Sequence, residues 1–108
     1  MSKYILAYHN GDMKKPAGPE EGAKMMGKWK DWVSSLGDAM VNPGTPLGKS
    51  KTVSSTGITD GGGPNPLSGY SILEAESLDA ASEVAKGSPH VEFGGTIEVA
   101  EVMEMKPS

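Results

Sequence analysis

Apolar side chains first recur over Lys3 to His9, where Tyr4, Leu6 and Tyr8 alternate with Ile5, Ala7 and His9. Because both sets are largely apolar, the pattern predicts a strand covered on both faces. Asn10, Gly11 and Asp12 are turn residues that end it. From Pro19 the period changes. Met25, Trp29, Trp32, Val33 and Leu36 fall at i, i+4, i+7, i+8 and i+11, one face of an α-helix. Pro19 suits the first turn of that helix, Glu20 and Glu21 suit its positive end, and Gly37 suits a left-handed cap. Gly22 and Gly27 each cost such a helix about 1 kcal/mol relative to Ala. Packing of the two tryptophans therefore has to hold it, and Gly27 is a place where another backbone can approach closely.

Asp38 to Asn42 predicts a short strand, after which Pro43-Gly44-Thr45-Pro46-Leu47-Gly48 cannot continue a ladder. Lys51 to Ser55 predicts a short ribbon whose polarity makes it an edge. Asp60-Gly61-Gly62-Gly63-Pro64-Asn65-Pro66 reads as a loop, so residues 43–68 form an irregular Gly/Pro-rich region inside a single domain spanning residues 1–108. Gly69 to Glu76 predicts a central strand through Tyr70, Ile72, Leu73 and Ala75. Ser77 then caps a short helix with Asp79 in its first turn and Leu78, Ala81, Val84 and Ala85 on one side, until Gly87 and Pro89 stop it. A last strand is expected from Gly95 to Glu104. Ile97 and Val99 share a parity there that Val102 does not, which requires a bulge or burial on both faces, the second matching the first strand.

The order of elements is β-α-β-β-α-β, an α+β domain of ferredoxin-like type with a long Gly/Pro-rich insertion. Two helices of this length cover one side of a four-stranded sheet and leave the other side without a partner inside the chain. A homodimer, in which a second subunit's sheet covers that face, is the simplest solution.

Composition narrows the partners. The 108 residues suit one domain, and only 36% are apolar, so the core is modest and much of the chain is loop. A net charge of −4, with ten lysines spread along the chain and no arginine, leaves no basic face for nucleic acid or anionic membrane. Without cysteine there is no disulfide, thiolate nucleophile or zinc-thiolate site. Met1 to Asn10 does not have the charged-then-apolar layout of a secretory signal, and no window is apolar enough to span a membrane, so a cytoplasmic protein is expected.

Three segments carry a family resemblance. Lys3-Tyr4-Ile5-Leu6-Ala7-Tyr8, then Asp60-Gly61 through Gly69-Tyr70-Ser71-Ile72-Leu73-Glu74-Ala75, and Gly94-Gly95-Thr96-Ile97-Glu98-Val99 together resemble the YCII-related proteins, nearest the branch with an Asp-Gly-Pro-Phe motif. The resemblance implies a dimeric α+β barrel, two ferredoxin-like sheets face to face, with a cleft in each subunit. The chain departs from the motif: it reads Asp60-Gly61-Gly62-Gly63-Pro64-Asn65, with extra glycine and no Phe. Some YCII-like relatives also have a His in the first helix near an Asp-Pro pair after the second, proposed as an acid-base dyad. Lys24-Met25-Met26-Gly27 and Ser88-Pro89-His90 stand at those places, so the dyad does not carry over.

Chemistry-bearing candidates are few. His90, one of two imidazoles, follows a helix stop and is a candidate general base near neutral pH, its plainer role being a surface or capping histidine. His9 closes the first strand, where it either faces a cleft or only packs. Asp60, at the head of the glycine run, is either a base or a turn residue accepting loop amides. Tyr8, Trp29 and Tyr70 are the candidate ligand-binding residues, Trp29 on a core-facing helix side whose aromatic edge can also wall a small apolar pocket. Gly61-Gly62-Gly63 lacks the Lys-Ser/Thr of a phosphate loop, and no imidazole pair stands at ligand spacing, so neither metal nor cofactor is expected. Two functions follow: a dimeric domain binding a small molecule in its cleft, and a small cofactor-independent lyase, isomerase or hydrolase using His/Asp proton transfer.

Overall fold

The computed structural model describes residues 2–11 and 17–103. Along the chain run β1 (Ser2–His9), α1 (Pro19–Leu36), β2 (Met40–Asn42), β3 (Lys51–Ser54), β4 (Gly57–Asp60), β5 (Leu67–Ala75), α2 (Leu78–Lys86), α3 (Pro89–Glu92) and β6 (Thr96–Glu101). Asp12 in the first turn and Glu104 at the expected end of the last strand lie outside the described residues.

β1 takes a middle position because its alternation gives it two apolar parities. It pairs antiparallel with β5 on one side and β6 on the other, and β2 adds antiparallel to β5, giving the order β2-β5-β1-β6. The domain is α+β, and this interleaving is consistent with a ferredoxin-like fold. Tyr4, Leu6 and Tyr8 of β1 are buried with Leu73 and Ala75 of β5 and Ala81 and Ala85 of α2. Trp29, Trp32 and Leu36 of α1 pack on the same cluster, so the helices share one face of the sheet. The 19 Å short dimension of the molecule is that of two layers. The opposite parity, with Ile5, Ala7 and Ile72, is half-buried and carries no covering element among the described residues.

Several local expectations are corrected or sharpened. The two tryptophans do pack on the core cluster, Trp29 against the Tyr8 ring, but both stay half-buried and α1 has no fully buried residue. Gly27 meets no other backbone among the described residues, since none of them stands within 4 Å of the position a Cβ would take. Residues 43–68 are less irregular than their composition suggests, because β3 and β4 pair as a hairpin from Lys51↔Asp60 to Ser54↔Gly57. That hairpin is a separate two-stranded sheet and not an edge of the main one. Val102 breaks parity because β6 has already ended at Glu101, so neither bulge nor two-sided burial is needed. Pro89 both follows the end of α2 and opens α3, with Ser88 as its cap. No described helix is long and apolar enough to cross a membrane.

Gly27 generates a direct test. With open space around it in a helix interior, Gly27→Ala is expected to stabilise the protein by about 0.5–1 kcal/mol in urea unfolding. A destabilisation would show that another surface does approach α1 there.

Candidate functional site

Pairing between β1 and β5 changes register at the end of β1: Tyr8 lies opposite Gly69, but His9 lies opposite Leu67, leaving Ser68 as the extra residue of a bulge. Ser68 Oγ donates to the Tyr8 carbonyl at 3.1 Å. The Tyr8 side chain passes to the helical face, where its hydroxyl donates to Ser71 Oγ at 2.7 Å and Ser71 Oγ donates to the Pro43 carbonyl at 2.8 Å. Both hydroxyls are thus satisfied in a buried setting, as their burial requires. The same bonds hold the segment leaving β2 against β5, helped by Leu47 N–H donating to the Ser68 carbonyl at 2.9 Å. Gly44 sits in that segment at φ +72°, and a Cβ there would collide with the Tyr70 carbonyl.

α3 delivers the imidazole. Ser88 is buried and its side chain accepts from Val91 N–H, while Pro89 occupies the first helical position, a start signature that the preceding helix stop obscures. His90 Nε2 then lies 2.7 Å from the His9 carbonyl oxygen. A carbonyl only accepts, so Nε2 carries the proton, and in the neutral ring the lone pair is on Nδ1. Nδ1 has no hydrogen-bond partner among the described residues. The ring meets Tyr8 edge-on at 5.1 Å between centroids, Tyr8 meets Trp29 edge-on at 5.3 Å, and Trp29 lies 5.2 Å from Trp32. Lys28 of α1 bridges to Glu92 of α3 at 2.8 Å and lies 5.5 Å from the Phe93 ring centroid, joining the two helices over the space between them.

These elements line an open cavity of about 500 Å³. Met25, Met26 and Trp29 form its α1 wall, Pro43 to Pro46 another, and Tyr8, Tyr70, His90 and Phe93 complete its lining. Of the residues singled out in the sequence, Tyr8, Trp29, Tyr70 and His90 border this one space. His9 does not: its Nδ1 donates to the Asn65 carbonyl at 2.9 Å and its Nε2 stands 3.5 Å from Glu98 Oε1. Asp60 ends β4 with its side chain 93% exposed and paired to Lys51 at 2.9 Å, so no imidazole is placed against it. Among the described residues, no three His, Asp or Glu side chains converge as a metal site would need.

A model of the YCII-related domain matches residues 4–106. The chain belongs to the YCII-related family. Among solved structures it is similar to 5-chloro-2-hydroxyhydroquinone dehydrochlorinase from Burkholderia phenoliruptrix AC1100, in complex with 2,5-dihydroxybenzoquinone. That likeness has a TM-score of 0.58 at 16% identity and covers 95% of each chain, so it is one of fold. No curated protein matches the chain.

In this YCII-related chain, the segments Lys24 to Gly27 and Ser88 to His90 border the same cavity, through Met25 and Met26 on one side and Pro89 and His90 on the other. Ser71 was not singled out in the sequence, although a lone hydroxyl at an inward position of an otherwise apolar strand is a signal for a buried polar link. Met26 and Phe93 had no such signal. Met26 lies beside the regular apolar stripe of α1, and Phe93 follows a helix too short to show a period.

Burial pushes the Tyr8 hydroxyl from 10.0 up to about 12, with the Ser71 hydrogen bond pulling the other way. Tyr8 is therefore a neutral phenol at pH 7 and not a base. Absorbance titration should show the Tyr8 phenol ionising late. The native state keeps this proton after the unfolded state has lost it, so the Tyr8 contribution to stability is intact below pH 10 and is lost as pH rises toward about 12. Tyr8→Phe should remove that component and cost about 1 kcal/mol at neutral pH. An unchanged alkaline stability profile in the variant would refute the assignment.

Proposed function

We propose that the cavity binds a small planar molecule bearing a hydroxyl or enol group, with aromatic and methionine side chains against its faces and His90 Nδ1 accepting its O–H. One observation carries this reading: a cavity of about 500 Å³, walled mainly by aromatic and other apolar side chains, borders an imidazole whose Nε2 is occupied and whose Nδ1 is not. The fold-level neighbour's complex with a hydroxylated quinone fits the same ligand shape.

The second reading is a cofactor-independent enzyme in which Nδ1 takes the proton of the bound group. The fixed tautomer favours it, since a base must present a lone pair in a defined direction. The His/Asp pairing expected from sequence finds no support in the position of Asp60, so the base in this reading is His90 alone.

The same proposal includes a homodimer. The sheet face with half-buried Ile5, Ala7 and Ile72 and exposed Ala100 is the surface a second copy would cover, giving a dimeric α+β barrel. Asp60-Gly61 and Pro64 support placement in the Asp-Gly-Pro-Phe branch. A cytoplasmic location rests on the sequence alone.

Hydroxylated benzenes and quinones, 2,5-dihydroxybenzoquinone among them, should quench the fluorescence of Trp29 saturably and raise the melting temperature. His90→Gln keeps an amide donor for the His9 carbonyl but replaces the basic Nδ1 with an amide oxygen in a different position, and should weaken binding about tenfold. Equal binding by wild type and variant would refute the role of His90. Conversion of a bound compound, followed by mass spectrometry and lost in His90→Gln, would decide for the enzyme. Light scattering at micromolar concentration should give twice the chain mass, and a monomer would count against the covered sheet face.

A further inference from the structure

His90 is held from more sides than its helix alone would provide. Its Nε2 is bound to the His9 carbonyl, its ring meets Tyr8 edge-on, and its own carbonyl accepts from Gly95 N–H at 2.9 Å. Gly95 is itself buried. A Cβ built on Gly95 would fall against Nε2 and lie 2.5 and 2.7 Å from Cδ2 and Cε1, and these three ring atoms are its nearest neighbours. Gly95 is not among the glycines with positive φ, so its backbone conformation is open to any residue. Glycine at this position is explained by space alone, and the space is filled by the imidazole.

We infer that Gly95 is a positioning residue for His90: by admitting the ring to the strand backbone it allows the Nε2–H bond to the His9 carbonyl, and so assigns Nδ1 as the accepting atom of the cavity. The inference rests on the reading of the cavity as a binding site only for its use. The physical claim is that an atom added at residue 95 removes the anchor at Nε2. A ring displaced from the His9 carbonyl has no bond to select a tautomer, and its proton is shared between both nitrogens as in a free imidazole. The bulge at the end of β1 lies at the same place and leaves a strand-end carbonyl available to a side chain.

Two measurements on the unliganded protein test this. Nitrogen-15 spectra of the imidazoles should show His90 of the wild type, when neutral, as the single Nε2–H tautomer, and Gly95→Ala should move that signature toward the mixture of a free ring. A purely structural effect of the added methyl would leave it in place. Melting temperatures of Gly95→Ala, His90→Ala and the double variant form a cycle. Gly95→Ala should cost several degrees in the wild-type background, and most of that loss should vanish when the ring is absent. Should Gly95→Ala fail to fold, the double variant should still fold. Equal losses in both backgrounds, an unfolded double variant, or an unchanged tautomer in Gly95→Ala would overturn the inference. A locked tautomer in a protein that binds none of the hydroxylated rings would uphold it and count against the binding reading alone.

Discussion

The Tyr8 hydroxyl, bonded to Ser71 and through it to the Pro43 carbonyl, ties three parts of the chain that are far apart in sequence: the end of β1, the middle of β5 and the segment leaving β2. That link, together with the Leu47 N–H bond to the Ser68 carbonyl, holds Pro43 to Pro46 against the sheet, where the segment walls the cavity. Its strength comes from burial, since a polar group sealed from water is held by the cost of leaving it unpaired more than by the bond itself. The same burial keeps Tyr8 a neutral phenol, which makes it structure for the site and leaves acceptor chemistry to His90.

His90 depends on Tyr8 in turn. Its ring leans on the Tyr8 ring, its Nε2 donates to the carbonyl of the next residue in β1, and the same Nε2 edge rests on Gly95, just before the last strand. Support by backbone groups and by a strand is more exact than support by loops, because these positions are already set by the ladder. The cavity therefore combines a rigid polar end with walls of methionine and aromatic side chains on α1, which adapt their shape more readily.

Much of the fold was legible because its elements are periodic. The two apolar parities of Lys3 to His9 marked a middle strand, and the stripe through Met25, Trp29 and Leu36 marked α1. Ser77 with Asp79 marked the start of α2. Where reading failed, the period was short or absent: the hairpin of β3 and β4 is exposed along its length with only Val53 and Ile58 apolar, and α3 is a single turn hidden behind a helix stop. The tryptophans illustrate a different limit. Periodicity shows which side of a helix faces inward, but how deeply that side sinks depends on what lies beneath it, here a single sheet layer that sets the Tyr8 ring against Trp29.

The sequence by itself determined the α+β class, the strands and helices of the main sheet, and the aromatic and imidazole residues available for a site. Only the tertiary structure decided which of them meet. Tyr8, Trp29, Tyr70 and His90 converge because the chain reversals between β1, β5 and α3 bring their ends together, whereas Asp60 is carried away on the hairpin to pair with Lys51. The state of His90 was likewise outside the reach of local pattern, since it depends on one backbone carbonyl 81 residues away and on the missing side chain of Gly95. Local periodicity reports burial, while the partner of a polar atom is set by long-range packing, and it is the partner that fixes where a proton resides.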